Sequence, residues 1–266
     1  MARNTSFVKL EGTLDGLTFY HKDGENVVKT QSRVSKSRIM TDSAYRRTRE
    51  NMREFGGAAR VGKAFRNAFA GVATTMGDTY MGSRLNGIMK RINRNGAGLR
   101  GERDFEIVTY GDMLKGFEFN KELPLKSQFF APSDPPEINV ARDEVTWVIP
   151  DFNTDSYIKV PEGATHFRLV LAAGYVSDYS YNNRDEAYMP VSEEVNGRGG
   201  LSFSADIPLT GMVGSDTTLT VNMTALGAIP ATSALFAATG IIFYQEINSA
   251  MYELAQGNAM KVAAAG

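Results

Sequence analysis

The chain has 266 residues, a formal net charge of −1, one Trp, two His and no Cys. The lack of thiols excludes a disulfide framework, a Cys-based zinc site and a catalytic cysteine. A hydrophobic fraction of 42% with 22% charged residues marks a globular chain rather than a disordered one. The length supplies one large domain or two medium ones.

Three short β-prone runs come first: Phe7 to Leu10, Leu17 to Tyr20 and Val27 to Thr30. Asp15-Gly16 and Asp23-Gly24 separate them, and Asp-Gly supplies the positive φ that tight hairpins need. This predicts a three-stranded β-meander within residues 1–40. So small a sheet needs something else to pack on, either the rest of the chain or another copy.

Residues 41–104 read as a helical segment. Thr41 or Asp42 can cap its start. Tyr45, Thr48, Met52 and Phe55 share one face, Gly56-Gly57 interrupts, and Val61, Phe65, Ala68, Phe69 and Val72 resume the pattern. After a second break at Gly77-Asp78, Met81, Leu85, Ile88, Met89 and Ile92 form a third amphipathic stretch, ended by Asn95-Gly96. The many glycines here imply bends or close approaches between backbones.

Residues 105–266 read as strands: 126–130, 137–140, 145–149, 166–173, 201–205, 217–225 and 240–246. Pro132 to Pro136, Pro161 to Gly163 and Gly197 to Gly200 supply turns between them. Short strands at this spacing predict an antiparallel β-sandwich, with Trp147 in its core. Ser177 to Arg184 reads as a polar loop carrying Tyr179 and Tyr181. The expected fold class is therefore α+β: an N-terminal β-meander, a central basic helical segment and a C-terminal acidic β-sandwich.

The net charge conceals a split. Residues 1–104 hold 20 Lys and Arg against 10 Asp and Glu, whereas the rest holds 9 against 20. An imbalance of about +10 against −11 predicts a polyanion partner or two complementary surfaces. Arg46, Arg49, Arg53, Arg60 and Lys63 would form one stripe if their helix is unbroken, and Arg84, Lys90, Arg91 and Arg94 a second cluster. These nine are the candidate partner- or polyanion-binding residues. Any nucleic-acid binding would be non-specific, because no helix-turn-helix, zinc-finger or RNA-recognition signature accompanies them.

Several near-motifs fail on their own chemistry. Gly57 to Ala64 approaches a phosphate-binding loop, but Ala64 stands where a magnesium-holding hydroxyl belongs, and a helix precedes it rather than a strand. Gly96 to Gly101 has dinucleotide-loop spacing without a βαβ unit and reads as a flexible linker. Asp151, Asn153 and Asp155 alternate like calcium ligands, but Ser156 replaces the required Gly, so an Asx-rich turn is the better reading. His21 and His166 have no Gly-x-Ser-x-Gly nucleophile to serve. No catalytic residue, metal site or cofactor is expected, and the chain does not read as an enzyme.

Lys9-Leu10-Glu11-Gly12-Thr13-Leu14-Asp15-Gly16-Leu17-Thr18-Phe19-Tyr20 resembles a family of Bacteroidota proteins with no assigned function. Arg47 to Phe55 and Phe243-Tyr244-Gln245-Glu246 share the resemblance. It implies no activity, and it points to phage or mobile-element structural proteins.

The N-terminus, Met1 to Phe7, has no apolar signal segment, and the long uncharged run Thr217 to Gln245 reads as strands and turns. Cytoplasmic synthesis without membrane insertion is expected, with a virion or other assembled particle as a further location. The leading functional reading is a homo-oligomeric, self-assembling structural protein of a virion, tube or filament. The alternatives are a non-specific nucleic-acid-associated protein and a β-sandwich module binding a sugar or peptide through the Tyr179/Tyr181 loop.

Overall fold

The computed structural model describes residues 2–5, 9–22, 24–31 and 34–266. They form two compact units, residues 1–50 and 51–266, and the chain is mixed α+β.

In the first unit, strands β1 (Ala2–Arg3), β2 (Gly12–Leu14), β3 (Leu17–Lys22) and β4 (Glu25–Thr30) form an antiparallel sheet in the order β1-β4-β3-β2. Asp15 (φ 47°) and Gly16 (φ 74°) make the predicted left-handed turn between β2 and β3. Of the strand expected over Phe7 to Leu10, the described Lys9 and Leu10 lie outside any strand, and β2 follows at Gly12–Leu14, where Thr13 pairs with Thr18. Phe7, Val8 and Asp23 lie outside the described residues. Val27 alone among the described strand residues is buried, at 8% exposure. Helix α1 (Lys36–Thr41), unforeseen in the sequence, starts where the Ser35 Oγ accepts the Arg38 N–H. Asp42 then caps the following turn through the Ala44 N–H.

Helix α2 (Arg46–Ala68) runs unbroken through Gly56-Gly57, contrary to the expected interruption. The physical reason is steric. A Cβ on Gly57 would lie 2.5 Å from Tyr188 Cδ2 and 2.6 Å from Phe105 Cε2, so this glycine makes room for two rings. The break comes at Phe69 (φ −110°, ψ 21°), before α3 (Ala70–Met76). Helix α4 (Met81–Asn95) matches the third amphipathic stretch, with Met81, Leu85, Ile88, Met89 and Ile92 all buried.

The second unit is built on one long antiparallel ladder. Strand β7 (His166–Ser177) pairs with β13 (Ser233–Ile247) from Ser177↔Ser233 to His166↔Tyr244. Both strands are buried on both faces. Val170, Ala172, Val176, Phe236, Ala238 and Ile242 face the helices, sharing a core with Ala58, Phe65, Phe69 and Leu85. Phe167, Leu169, Leu171, Leu235, Ala237 and Phe243 face the other way. A doubly covered strand reads as a continuous apolar run rather than an alternation, which is why residues 233–239 escaped detection. Strands β10 (Gly199–Phe203), β11 (Ile207–Pro208), β14 (Ala250–Glu253) and β15 (Ala259–Ala265) complete this sheet.

A second sheet covers the outer face, with order β12-β6-β5: β5 (Glu137–Ile138), β6 (Glu144–Ile149) and β12 (Thr217–Asn222). It alternates cleanly. Val145, Trp147, Ile149, Leu219 and Val221 point inward, and Trp147 is 3% exposed. The layers are thus helices, long sheet, short sheet. The basic helices beyond residue 50 share their interior with the acidic sheets.

Two local expectations fail. Residues 125–128 form a helical turn rather than a strand, with Pro124 ahead of it. Ser177 to Arg184 is not an open loop: β8 (Tyr179–Asn182) and β9 (Ala187–Pro190) form a hairpin. Tyr179 is buried there, and the Tyr181 hydroxyl is enclosed.

Candidate partner-binding face

Because α2 is continuous, Arg46, Arg49, Arg53, Arg60 and Lys63 fall within about 100° of arc around its axis. Their surroundings differ. Arg46 and Arg47 pair with Glu50 at 3.1 and 2.8 Å. Arg49 turns back onto the carbonyls of Ile39 and Asp42, at 2.7 and 2.8 Å. Arg53 pairs with Glu102 at 3.0 Å and lies over the Tyr181 ring, 5.3 Å from its centroid.

Two members of the second cluster are also committed internally. Arg84 pairs with Asp78 at 2.7 Å, donates to the carbonyls of Glu118 and Phe119, and covers the Phe117 ring. Lys90 and Arg103 both pair with Glu54, which is 2% exposed on its side chain. Burial pushes the Glu54 carboxyl up. The hydrogen bonds from Lys90 and the Gly101 N–H, with the charges of Lys90 and Arg103, outweigh that and hold it below the usual range. Among the described residues, no carboxylate pairs with Lys63, Arg91 or Arg94, all of which are exposed. The expected stripe of five thus shares one helix face, while Arg46, Arg49, Arg53, Arg84 and Lys90 are each held by partners within the chain.

The structure brings Arg60 and Lys63 to a shallow groove of about 590 Å³ between α2, the β8–β9 hairpin and residues 193–198. Arg60 Nη1 donates to the Tyr188 carbonyl at 2.9 Å, which fixes the guanidinium at the groove wall. Arg198, Glu193, Asn67 and Tyr179 also line it. Asn196 holds the Tyr179 hydroxyl at 2.7 Å and receives the Ser177 N–H. Three cations against one carboxylate leave the groove lining with a positive balance. Arg198 went unnoticed in the sequence because Gly197-Arg198-Gly199-Gly200 reads as a turn, and nothing local connects it with Arg60.

The remaining motifs resolve simply. Residues 57–64 lie in mid-helix, without the strand–loop–helix context of a phosphate loop. Residues 96–101 are not a loose linker: Ala97 N–H donates to Glu106 and Gly101 N–H to Glu54, each at 2.8 Å. The carboxylates of Asp151 and Asp155 accept from the Gly214 and Gly211 N–H groups, and Asn153 caps the turn at Asp155. His166 Nδ1 lies 3.0 Å from the Thr165 hydroxyl and 3.9 Å from Glu246. Among the described residues, no three His, Asp or Glu side chains are placed to hold a metal ion, and no helix is long and apolar enough to cross a membrane.

Each ion pair named above joins two residues on the same side of residue 104. The same holds for Lys115–Asp112 and Arg168–Asp206 beyond it. None of these ion pairs bridges the basic and the acidic part. No protein family, curated protein or solved structure matches this chain.

Proposed function

We propose that the chain is a self-assembling structural protein, in which the basic N-terminal unit of one copy docks on the acidic main unit of another. The carrying observation is the missing interior of residues 1–50. Their four strands bury only Val27 among the described strand residues, while Leu10, Leu14, Leu17 and Met40 stand exposed. Such a sheet gains little from its own packing and needs a second surface. The charges suit a copy of the same chain: residues 1–50 hold 10 Lys and Arg against 6 Asp and Glu, and residues 51–266 hold 19 against 24. Head-to-tail contact of this kind closes into rings or runs on as a tube or filament, the architecture of a virion component. Internal pairing of Arg53, Arg84 and Lys90 takes three of the nine candidate cations away from phosphates, which weakens the nucleic-acid reading relative to a protein partner.

Light scattering after size exclusion tests this at about 50 mM and about 500 mM salt, conditions that differ several-fold in screening. Assembly at low salt, weakened at high salt and by Lys22→Glu with Lys29→Glu, is the expected result. A monomer under every condition overturns it. Assembly that requires added DNA and is lost in Arg91→Glu with Arg94→Glu would instead favour the nucleic-acid reading.

A further inference from the structure

One cleft is unrelated to the basic groove. It opens at the end of the sandwich, between the helical turn Leu125–Gln128, the Pro132 to Pro136 segment, β6 and β15, and encloses about 520 Å³. That volume lies within the range of small-molecule sites. Its wall carries Trp147, with Phe129 edge-on to it at 6.3 Å between centroids. Pro132, Pro135 and Pro136 hold the rim, and rigid residues there lower the entropy lost on closing over a ligand.

The polar groups are few and unusual. Thr239 lines the cleft from the middle of β13 and is buried, yet among the described residues no hydrogen bond occupies its hydroxyl. Lys261 stands opposite it in the ladder, between the buried Met260 and Val262. Lys126 lies on the facing helical turn. Among the described residues, neither ammonium has a carboxylate within ion-pair distance. The acid nearest in influence, Glu118, already receives the Leu125 N–H at 3.0 Å. A half-buried lysine without an ion pair gains little from its position unless something else supplies the anion. Asp134 contributes the one carboxylate of the lining, and Glu118 stands across a β-bridge from Lys261, so the lining itself presents two ammonium groups against one carboxylate.

We propose that this cleft binds a small monocarboxylate with an apolar body, its chain or ring against Trp147 and Phe129 and its carboxylate between Lys126 and Lys261. A single carboxylate can span the two ammonium groups, and the Thr239 hydroxyl supplies a donor at the same end. An amine would meet two ammonium groups, and a neutral alcohol would leave them unneutralised.

Trp147 is the chain's single tryptophan, so emission excited selectively at tryptophan arises at this cleft. The full chain is titrated with octanoate, octan-1-ol and octylamine, following emission and, in parallel, the heat of binding. Octanoate is expected to bind saturably, about tenfold or more tighter than octanol, with no binding of the amine. Lys126→Gln, at an exposed position, is expected to weaken octanoate on its own, and Lys126→Gln with Lys261→Gln to remove its advantage over octanol. Unchanged thermal unfolding of the variants shows that they remain folded. Neither heat nor emission change with octanoate overturns the proposal. So do equal binding of octanol and undiminished octanoate binding in both folded variants.

Discussion

The sheet of residues 1–50 and the long sheet of residues 51–266 use the same hydrogen-bond ladder to opposite effect. In the first, β3 and β4 pair over six residues from Leu17↔Thr30 to Lys22↔Glu25, yet Val27 is their one buried side chain and the others are half-buried or exposed. In the second, β7 and β13 are covered on both faces by separate cores. Backbone hydrogen bonds replace bonds to water and contribute modestly, whereas each fully buried Leu or Phe contributes about 1.5–3 kcal/mol. The pairing is therefore local to each sheet, but the stability resides in the second unit. The first acquires stability only from whatever it touches.

The largest expected effect breaks this comparison directly. Phe236 is fully buried with its ring 5.8 Å from Phe65, at the centre of the helix-facing core. Phe236→Ala should cost about 3–5 kcal/mol, combining lost transfer energy with a cavity. Leu14, at 64% exposure, should tolerate Leu14→Ala within about 0.5 kcal/mol. Urea unfolding of the monomer, followed by Trp147 emission, separates the two. If Leu14→Ala proved comparably destabilising at monomer concentrations, the first unit would have an interior that its exposure does not reveal.

A sharper contrast lies between neighbouring glycines of α2. Gly56 is exposed, with nothing within 4 Å of where a Cβ would sit, whereas Gly57 abuts the Tyr188 and Phe105 rings. Gly56→Ala should stabilise by about 0.5–1 kcal/mol through helix propensity alone. Gly57→Ala gains the same propensity but must displace two rings, and a net loss of about 1–2 kcal/mol is expected. Opposite shifts in the thermal midpoint are the required result. Shifts of the same sign would mean that the hairpin carrying Tyr188 yields freely.

These glycines also show where sequence reading stops. Gly56-Gly57 looks like a helix break because propensity is summed locally, and the rings that explain Gly57 belong to Phe105 and Tyr188, far along the chain. The Asp15-Gly16 turn, the inward alternation of Val145, Trp147 and Ile149, and the face of α4 were legible because each rests on a period or a dihedral within a few residues. Strand β15 (Ala-Met-Lys-Val-Ala-Ala-Ala) was not, since small residues buried on both faces carry neither period. The groove depends on Arg198 lying beside Arg60, and the cleft on Lys126 facing Lys261. Those juxtapositions exist only after the two-sided sheet has formed.

The smallest effect concerns what the second unit can tolerate. Burial pushes the Asp178 carboxyl up; the N–H groups of Val108 and Ile107 oppose this, and the charges of Glu106 and Asp104 push it further up. The Val108 N–H reaches Asp178 Oδ1 at 2.9 Å, a bond that the side-chain carbonyl of an asparagine can also accept. A carboxyl raised on folding binds its proton more tightly in the native state, so its favourable contribution is complete below the unfolded value and is lost as pH rises through the folded one. Asp178→Asn should therefore stabilise the protein at pH 7 by about 0.5 kcal/mol. The gain should shrink as the pH is lowered towards the ordinary aspartate range near about 4. Urea midpoints of the two proteins across that interval give the sign. A gain that grows in acid would mean that Asp178 is held ionised, and that its two backbone donors outweigh burial and the neighbouring carboxylates.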